Sequence, residues 1–158
     1  ILQCVPGKEI IIDNIRLPFR APRNLVRAKL DNTHTEHNED FWVDNGFVGY
    51  RRDIYDQLES KNTYFFLNYD ENDLLAEVEV HKCKRIKLFD MEFNFTDELD
   101  LIADEISHHS PVTEKEAGNY FFKGLNICIM DERRMGGEDN NILGYFSCSA
   151  GKTQTKNI

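Results

Sequence analysis

Two histidines three residues apart, His34 and His37 in "HTEH", have Glu36 between them and Glu39 and Asp40 close behind. They are the densest set of potential metal ligands in the chain. A zinc ion held there would make the protein a small metal-dependent enzyme using His34, His37 and the neighbouring carboxylates. The spacing argues against it. Metalloprotease helices carry H-E-x-x-H on one face, whereas this pair sits in the polar run "DNTHTEHNED" (31–40), which reads as a loop. "HKC" at 81–83 offers a further His and Cys, with nothing in the sequence to bring it near His34. His108 and His109 close an acidic helical stretch, where cations suit the helix dipole. Asp70 followed by "EVEVHK" lacks the Glu-x-Lys step of a restriction-type nuclease, since Glu77 is followed by Val78 and Glu79. G-x-S-x-G, P-loop and G-x-G-x-x-G patterns are missing, and "RRMGGEDNN" reads as a connection. The expectation is a protein that is not an enzyme, with no metal and no cofactor.

The elements around these residues follow from periodicity. "KEIIID" (8–13) reads as a strand, and Leu25, Val26 and Leu30 keep helical spacing after Pro22. In "FWVDNGFVGYRRDIY" (41–55), Asn-Gly between apolar runs marks a hairpin. Strands at 63–69 and 74–81 flank an Asp- and Asn-rich turn; Leu74, Ala76, Val78 and Val80 are expected on the core face, with Glu77, Glu79 and His81 on the wet one. A strand at 85–89 and a helix at 97–107 follow, with Thr96 as its expected N-cap. "NYFFKGLNICIMDE" (119–132) and "NILGYFSCSA" (141–150) supply the remaining apolar strands.

One pattern occurs twice. Leu17, Phe19, Leu25, Val26 and Leu30 fall onto Phe93, Phe95, Leu101, Ile102 and Ile106 at a constant interval of 76, with basic residues around the first set and acidic residues around the second. A duplicated folding unit and a chance match of helix-like segments both account for it. On the first reading the apolar positions are core and the charge reversal lies on solvent. The fold class is α+β: one domain (1–150), a mostly antiparallel sheet with helices packed on one face, two βαββ-like halves if the repeat is genuine, and a flexible C-terminal tail (151–158).

Composition narrows the partners. The chain has 158 residues, 41% of them hydrophobic, enough for one real core. Mean hydropathy is −0.54, and no apolar run reaches the roughly 18 residues of a membrane span. The first residues lack the basic and long apolar regions of a secretion signal. Net charge is −9, from 28 acidic against 19 basic residues, which disfavours nucleic acid and favours a basic protein partner. Cys4, Cys83, Cys128 and Cys148 form no CxxC pair; reduced thiols and a cytoplasmic location are expected. Carboxylates crowd the 31–44 loop and the hairpin from Asp70 to Glu79, so Asp70, Glu71, Asp73, Glu77 and Glu79 are the expected partner-binding residues.

The order of "IRLPFRAPRNLVRAKL", "FFLNYDENDLLAEVEVH" and "IKLFDMEFNFTDELDLIADEI" resembles immunity proteins of contact-dependent growth inhibition and other bacterial polymorphic toxin systems. The resemblance spans roughly residues 10–107 as an apolar pattern. Tandem helix–sheet protease and β-lactamase inhibitors share part of it. The resemblance implies a cytoplasmic toxin inhibitor that neutralises a cognate, basic, nuclease-type toxin domain by direct protein binding, with no nucleic-acid or membrane partner.

Overall fold

The computed structural model describes residues 1–43, 46–56, 62–137 and 140–151. The first half runs β1 (Leu2–Val5), β2 (Glu9–Ile12), β3 (Ile15–Pro18), α1 (Arg23–Lys29), β4 (Thr35–Glu36), β5 (Glu39–Val43), β6 (Gly46–Tyr55), β7 (Tyr64–Tyr69) and β8 (Leu75–Lys82). The second runs β9 (Ile86–Leu88), β10 (Met91–Phe93), α2 (Leu99–Ser107), β11 (Glu114–Glu116), β12 (Asn119–Phe122), β13 (Ile127–Asp131), a 3-10 turn (Arg133–Met135) and β14 (Leu143–Ser149). The chain is therefore one mostly-sheet unit with two short helices, compatible with α+β but richer in strand than expected.

The strands form two sheets rather than one. A five-stranded sheet has the order β10-β9-β1-β2-β3, and a nine-stranded sheet the order β11-β12-β13-β14-β8-β7-β6-β4, with β5 paired to β6. All pairings are antiparallel except β1 with β9. Alternation gives each sheet one buried face. Phe65, Leu67, Val78, Val80, Phe146 and Cys148 are buried from the large sheet, and Leu2, Cys4, Ile10, Ile86 and Leu88 from the small one, within a single core. Val26 and Leu30 of the α1 segment, with Leu99, Ile102 and Ile106 of α2, join that core.

The two halves repeat one another in backbone pairing as well as sequence. Leu75 N donates to Ala21 O (2.9 Å) and Arg23 N to Asp73 O (2.9 Å); in the second half Leu143 N donates to Asp97 O (3.0 Å) and Leu99 N to Asn141 O (2.8 Å). Opposite β7, the register skips Ala76, and opposite β13 it skips Gly144. The large sheet is continuous through the central pair β8–β14, where Val80 faces Phe146 and Val78 faces Cys148. Each unit is thus ββαββββ-like at its simplest, longer than βαββ. The repeated pattern is also not wholly core, since Leu25 is 48% and Leu101 62% exposed.

Several expectations shift by a residue. The bulge at Ala76 sends Leu75 into the core and leaves Leu74 and Ala76 half-buried, while Val78 and Val80 are buried as expected. Glu77 and Glu79 lie on the opposite face, half-buried rather than exposed. The N-cap of α2 is Glu98, not Thr96; the first helical amide, Leu99 N, is met by Asn141 O instead of a capping side chain. The hairpin expected at 41–55 forms, with Val43 opposite Gly46; Asp44 and Asn45 between them lie outside the described residues. So does the expected tail after Gly151.

Cys4 of β1 and Cys148 of β14 meet between the sheets and are joined as a disulfide, whereas Cys83 and Cys128 are buried free thiols. This departs from the expected four reduced thiols, and the sheet registers explain it: both residues face inward, from the central strand of one sheet and the central pair of the other. Protein unfolded without reductant should titrate two thiols with Ellman's reagent and four after reduction. Four at the outset would show the pair to be reduced.

Candidate functional site

Two polar clusters stand out, one on each face of the large sheet. The first is buried. Arg23 and Arg27, one turn apart on α1, both reach Asp53 on β6. Arg23 Nη2 lies 2.6 Å and Arg27 Nη2 2.7 Å from Asp53 Oδ1, and Arg27 Nε donates to Oδ2 at 2.7 Å. Arg23 is 3% exposed and Asp53 0%. Arg23 also donates to Asp73 Oδ1 (3.2 Å) and Asn38 Oδ1 (3.0 Å), and stands 4.9 Å over the Tyr69 ring. Arg27 reaches Glu36 at 3.1 Å. Burial pushes the Asp53 carboxyl up, but the hydrogen bonds from Arg27 and Arg23 outweigh it and hold the group below the ordinary carboxylate range. This network clamps α1, the 33–38 loop, β6 and the β7–β8 turn together. The basic residues of α1 therefore do not all sit on a solvent face, as the charge reversal suggested: Arg23 is internal and Arg27 half-buried, while Lys29 is exposed.

Four of the five expected partner-binding residues have partners inside the chain. Asp70 shapes its own turn, accepting from Asn72 N (2.9 Å) and Leu74 N (3.0 Å). Asp73 accepts from Arg51 Nη2 (2.8 Å) as well as Arg23. Glu71 is exposed at the tip. Glu77 accepts from Asn68 (2.7 Å), and Glu79 from Asn68 (2.7 Å), Arg52 (2.7 Å) and Tyr145 Oη (2.7 Å). The hairpin thus does not present a row of bare carboxylates. Asp73 is drawn toward α1, whereas Glu77 and Glu79 belong to the outer sheet face.

That outer face is the second cluster. Around Glu79, four adjacent strands bring together Arg52 (β6), Tyr64, Phe66 and Asn68 (β7), His81 (β8) and Tyr145 (β14). Arg52 stands 4.5 Å over the Phe66 ring, and His81 lies 4.6 Å from Phe66 and 5.4 Å from Tyr145 between ring centroids. Tyr64 meets Phe66 edge-on at 5.2 Å and is 38% exposed. Burial lowers the His81 pKa and raises those of Glu77 and Tyr145. The group is a half-exposed aromatic surface built around an Arg–carboxylate centre.

The candidate metal ligands do not converge. His34 packs beside Tyr55 at 6.3 Å between ring centroids, while His37 Nε2 lies 3.1 Å from Glu39 Oε1. Among the described residues, no group of three His, Cys, Asp or Glu could hold a metal ion. His109 stacks on Phe89 at 4.1 Å, and the Cys83 thiol donates to Arg85 O at 3.4 Å. Cys128 lines an open cleft of about 220 Å³ with Glu77, Phe121, Lys123 and Ser147. Burial pushes its thiol up to about 12, which keeps it protonated and a poor nucleophile at neutral pH. No helix of the described residues is long and apolar enough to cross a membrane.

The chain matches no protein-family model, no curated protein and no solved structure in these comparisons. The Arg23–Arg27–Asp53 network escapes the residue-type reading. Its signal lies in helix α1 itself: Arg23, Val26, Arg27 and Leu30 share one face at i, i+3, i+4 and i+7. Two arginines on an apolar face demand a buried acidic partner.

Proposed function

We propose that this chain is a non-enzymatic binding protein whose outer sheet face docks a basic protein domain, the toxin domain of a polymorphic toxin system being the partner that the sequence resemblance implies. The observation that carries this reading is the patch of Tyr64, Phe66, His81 and Tyr145 around the Arg52–Glu79 pair. Aromatic residues and Arg dominate binding hot spots. The net charge of −9 suits a cationic partner and raises its association rate. Glu77 and Glu79 belong to this surface, and Glu71 to its acidic margin. A cytoplasmic immunity protein is the form of this reading that the resemblance favours. The Cys4–Cys148 disulfide favours a second form, an inhibitor working in an oxidising compartment, and the thiol titration separates the two.

Calorimetric titration against a toxin domain found in a neighbouring gene tests the proposal, and neighbouring genes that encode none count against its toxin-inhibitor form. The wild-type protein should bind, and Tyr64→Ala/Phe66→Ala should weaken binding by about 2 kcal/mol or more, roughly 30-fold. Glu71→Lys should slow association and flatten its salt dependence with little change in dissociation. Failure of the wild type to bind that domain would reject the toxin-inhibitor reading.

A further inference from the structure

The outer face of the large sheet is unevenly filled. Backbone pairing sets Phe121, Cys128, Ser147, Glu79, Phe66 and Ile54 side by side on adjacent strands, and paired positions share a face. The third pair after the bulge is Phe66 with Glu79 in the first half and Cys128 with Ser147 in the second. A ring and a carboxylate thus give way to a thiol and a hydroxyl, and the open cleft of about 220 Å³ lies where these small side chains stand.

Glu77 and Lys123 are the charged residues of that cleft. The Lys123 side chain is 72% exposed and its ammonium lies 3.3 Å from Glu114 Oε1, so its charge is already met at the rim. Glu77 is not neutralised in this way. Asn68 donates to its Oε1 at 2.7 Å, while Arg52 donates to Glu79. Among the described residues nothing donates to Glu77 Oε2, and no cation forms an ion pair with it. Burial accordingly holds its carboxyl above the ordinary carboxylate range. A half-buried carboxylate with one open oxygen, beside the apolar Phe121 and Ile127, calls for a counter-charge from outside the chain.

We infer that this cleft takes a lysine side chain of the basic partner, its stem along Phe121 and its ammonium donating to Glu77 Oε2, with the Ser147 hydroxyl as a second acceptor. The apolar wall suits the lysine stem. An ammonium fits better than a guanidinium, because Asn68 already occupies Oε1 and leaves no pair of oxygens for a bidentate fork. The inference rests on the docking reading above and gives that face a specificity pocket. The full chain, labelled with nitrogen-15, is titrated with acetyl-Gly-Lys-Gly-amide and with the same peptide carrying arginine or norleucine in place of lysine. Backbone amide shifts are followed in wild type, Glu77→Gln, Cys128→Phe and Asp90→Asn.

The lysine peptide should bind wild type in the millimolar range and shift the amides of Glu77, Cys128 and Ser147. The arginine peptide should bind at least about 3-fold more weakly, and the norleucine peptide should leave these amides in place. Glu77→Gln removes the charge, keeps an acceptor for Asn68, and should lose the response. Cys128→Phe sets a ring where the first half has Phe66, and should close the cleft and lose it too; if that variant fails to fold, Glu77→Gln decides. Asp90→Asn removes a carboxylate that is 92% exposed in the β9–β10 turn, and should respond as wild type does. Equal shifts from all three peptides, shifts that persist in Glu77→Gln, or still amides throughout overturn the assignment. So does a response lost equally in Asp90→Asn, which would reduce it to net charge. Each of these results leaves the docking reading standing, since that reading is judged by the Tyr64 and Phe66 variant.

Discussion

Asp53→Ala should lower the unfolding free energy by about 3–5 kcal/mol, because it strands two arginine guanidiniums, one of them fully internal, without their shared carboxylate. Urea denaturation gives the value directly. The repeat supplies the complementary experiment. Where the first half has Arg23, Arg27 and Asp53, the second has Leu99, Ala103 and Tyr120, all buried, with the Tyr120 hydroxyl donating to Asp100. Asn24 occupies the position of Asp100. The variant Arg23→Leu/Arg27→Ala/Asp53→Tyr transplants the apolar solution whole, and should recover most of the loss, since removing a buried ion cluster together is often neutral. A triple variant as unstable as Asp53→Ala would show that the network does more than fill space.

The same comparison fixes the sign of the pH dependence. Asp53 and Asp73 are both held below the ordinary carboxylate range, Asp53 against its burial by Arg27 and Arg23, Asp73 chiefly by its hydrogen bond from Arg51. A depressed carboxyl contributes stability that is complete above its unfolded value of about 3.9 and lost as pH falls toward the folded value. Wild-type stability should accordingly decline below about pH 4. Glu77, raised by burial, works in the opposite direction as pH rises through its own range. It is common to both proteins, so the difference between wild type and triple variant reports Asp53 together with the part of the Asp73 depression that Arg23 supplies, and the acid slope should be shallower in the variant.

What could be read from the chain beforehand was what short-range periodicity encodes. The β7–β8 hairpin and both helices stand close to their expected positions because alternation and the i, i+3, i+4 spacing are local properties. The bulge at Ala76 is not local: it is set by pairing with Tyr69, and it moved Leu75 rather than Leu74 into the core. β11, "EKE", is an edge strand with no apolar residue to announce it. The carboxylates of the acidic hairpin looked bare because composition counts charges without their partners. Arg23, Arg51 and Arg52 come from distant positions to meet Asp73 and Glu79, and only the fold brings them there. The aromatic patch was divided in sequence among four strands, with Tyr145 and Glu79 separated by 66 residues.

Phe146→Ala should cost about 3–5 kcal/mol, the range for truncating a fully buried aromatic that leaves a cavity behind. Its position makes the effect more informative than its size. Phe146 is 0% exposed, faces Val80 across the central pair, and its ring lies 5.9 Å from Phe93 of the small sheet. It therefore touches the seam between the halves at Val80 and, through Phe93 of its own half, the facing small sheet. If the halves share one cooperative core, urea unfolding of Phe146→Ala stays a single transition, shifted to lower midpoint with an unchanged slope. If they are separable units joined at β8–β14, the truncation loosens the seam first. The signal would then be a second transition or a reduced slope, followed through Trp42 in the first half and far-ultraviolet dichroism of the whole. The continuous sheet and the single core argue for the first outcome. The central strand pair carries no polar cluster of its own in the buried layer, so its cohesion is hydrophobic and falls with the area removed.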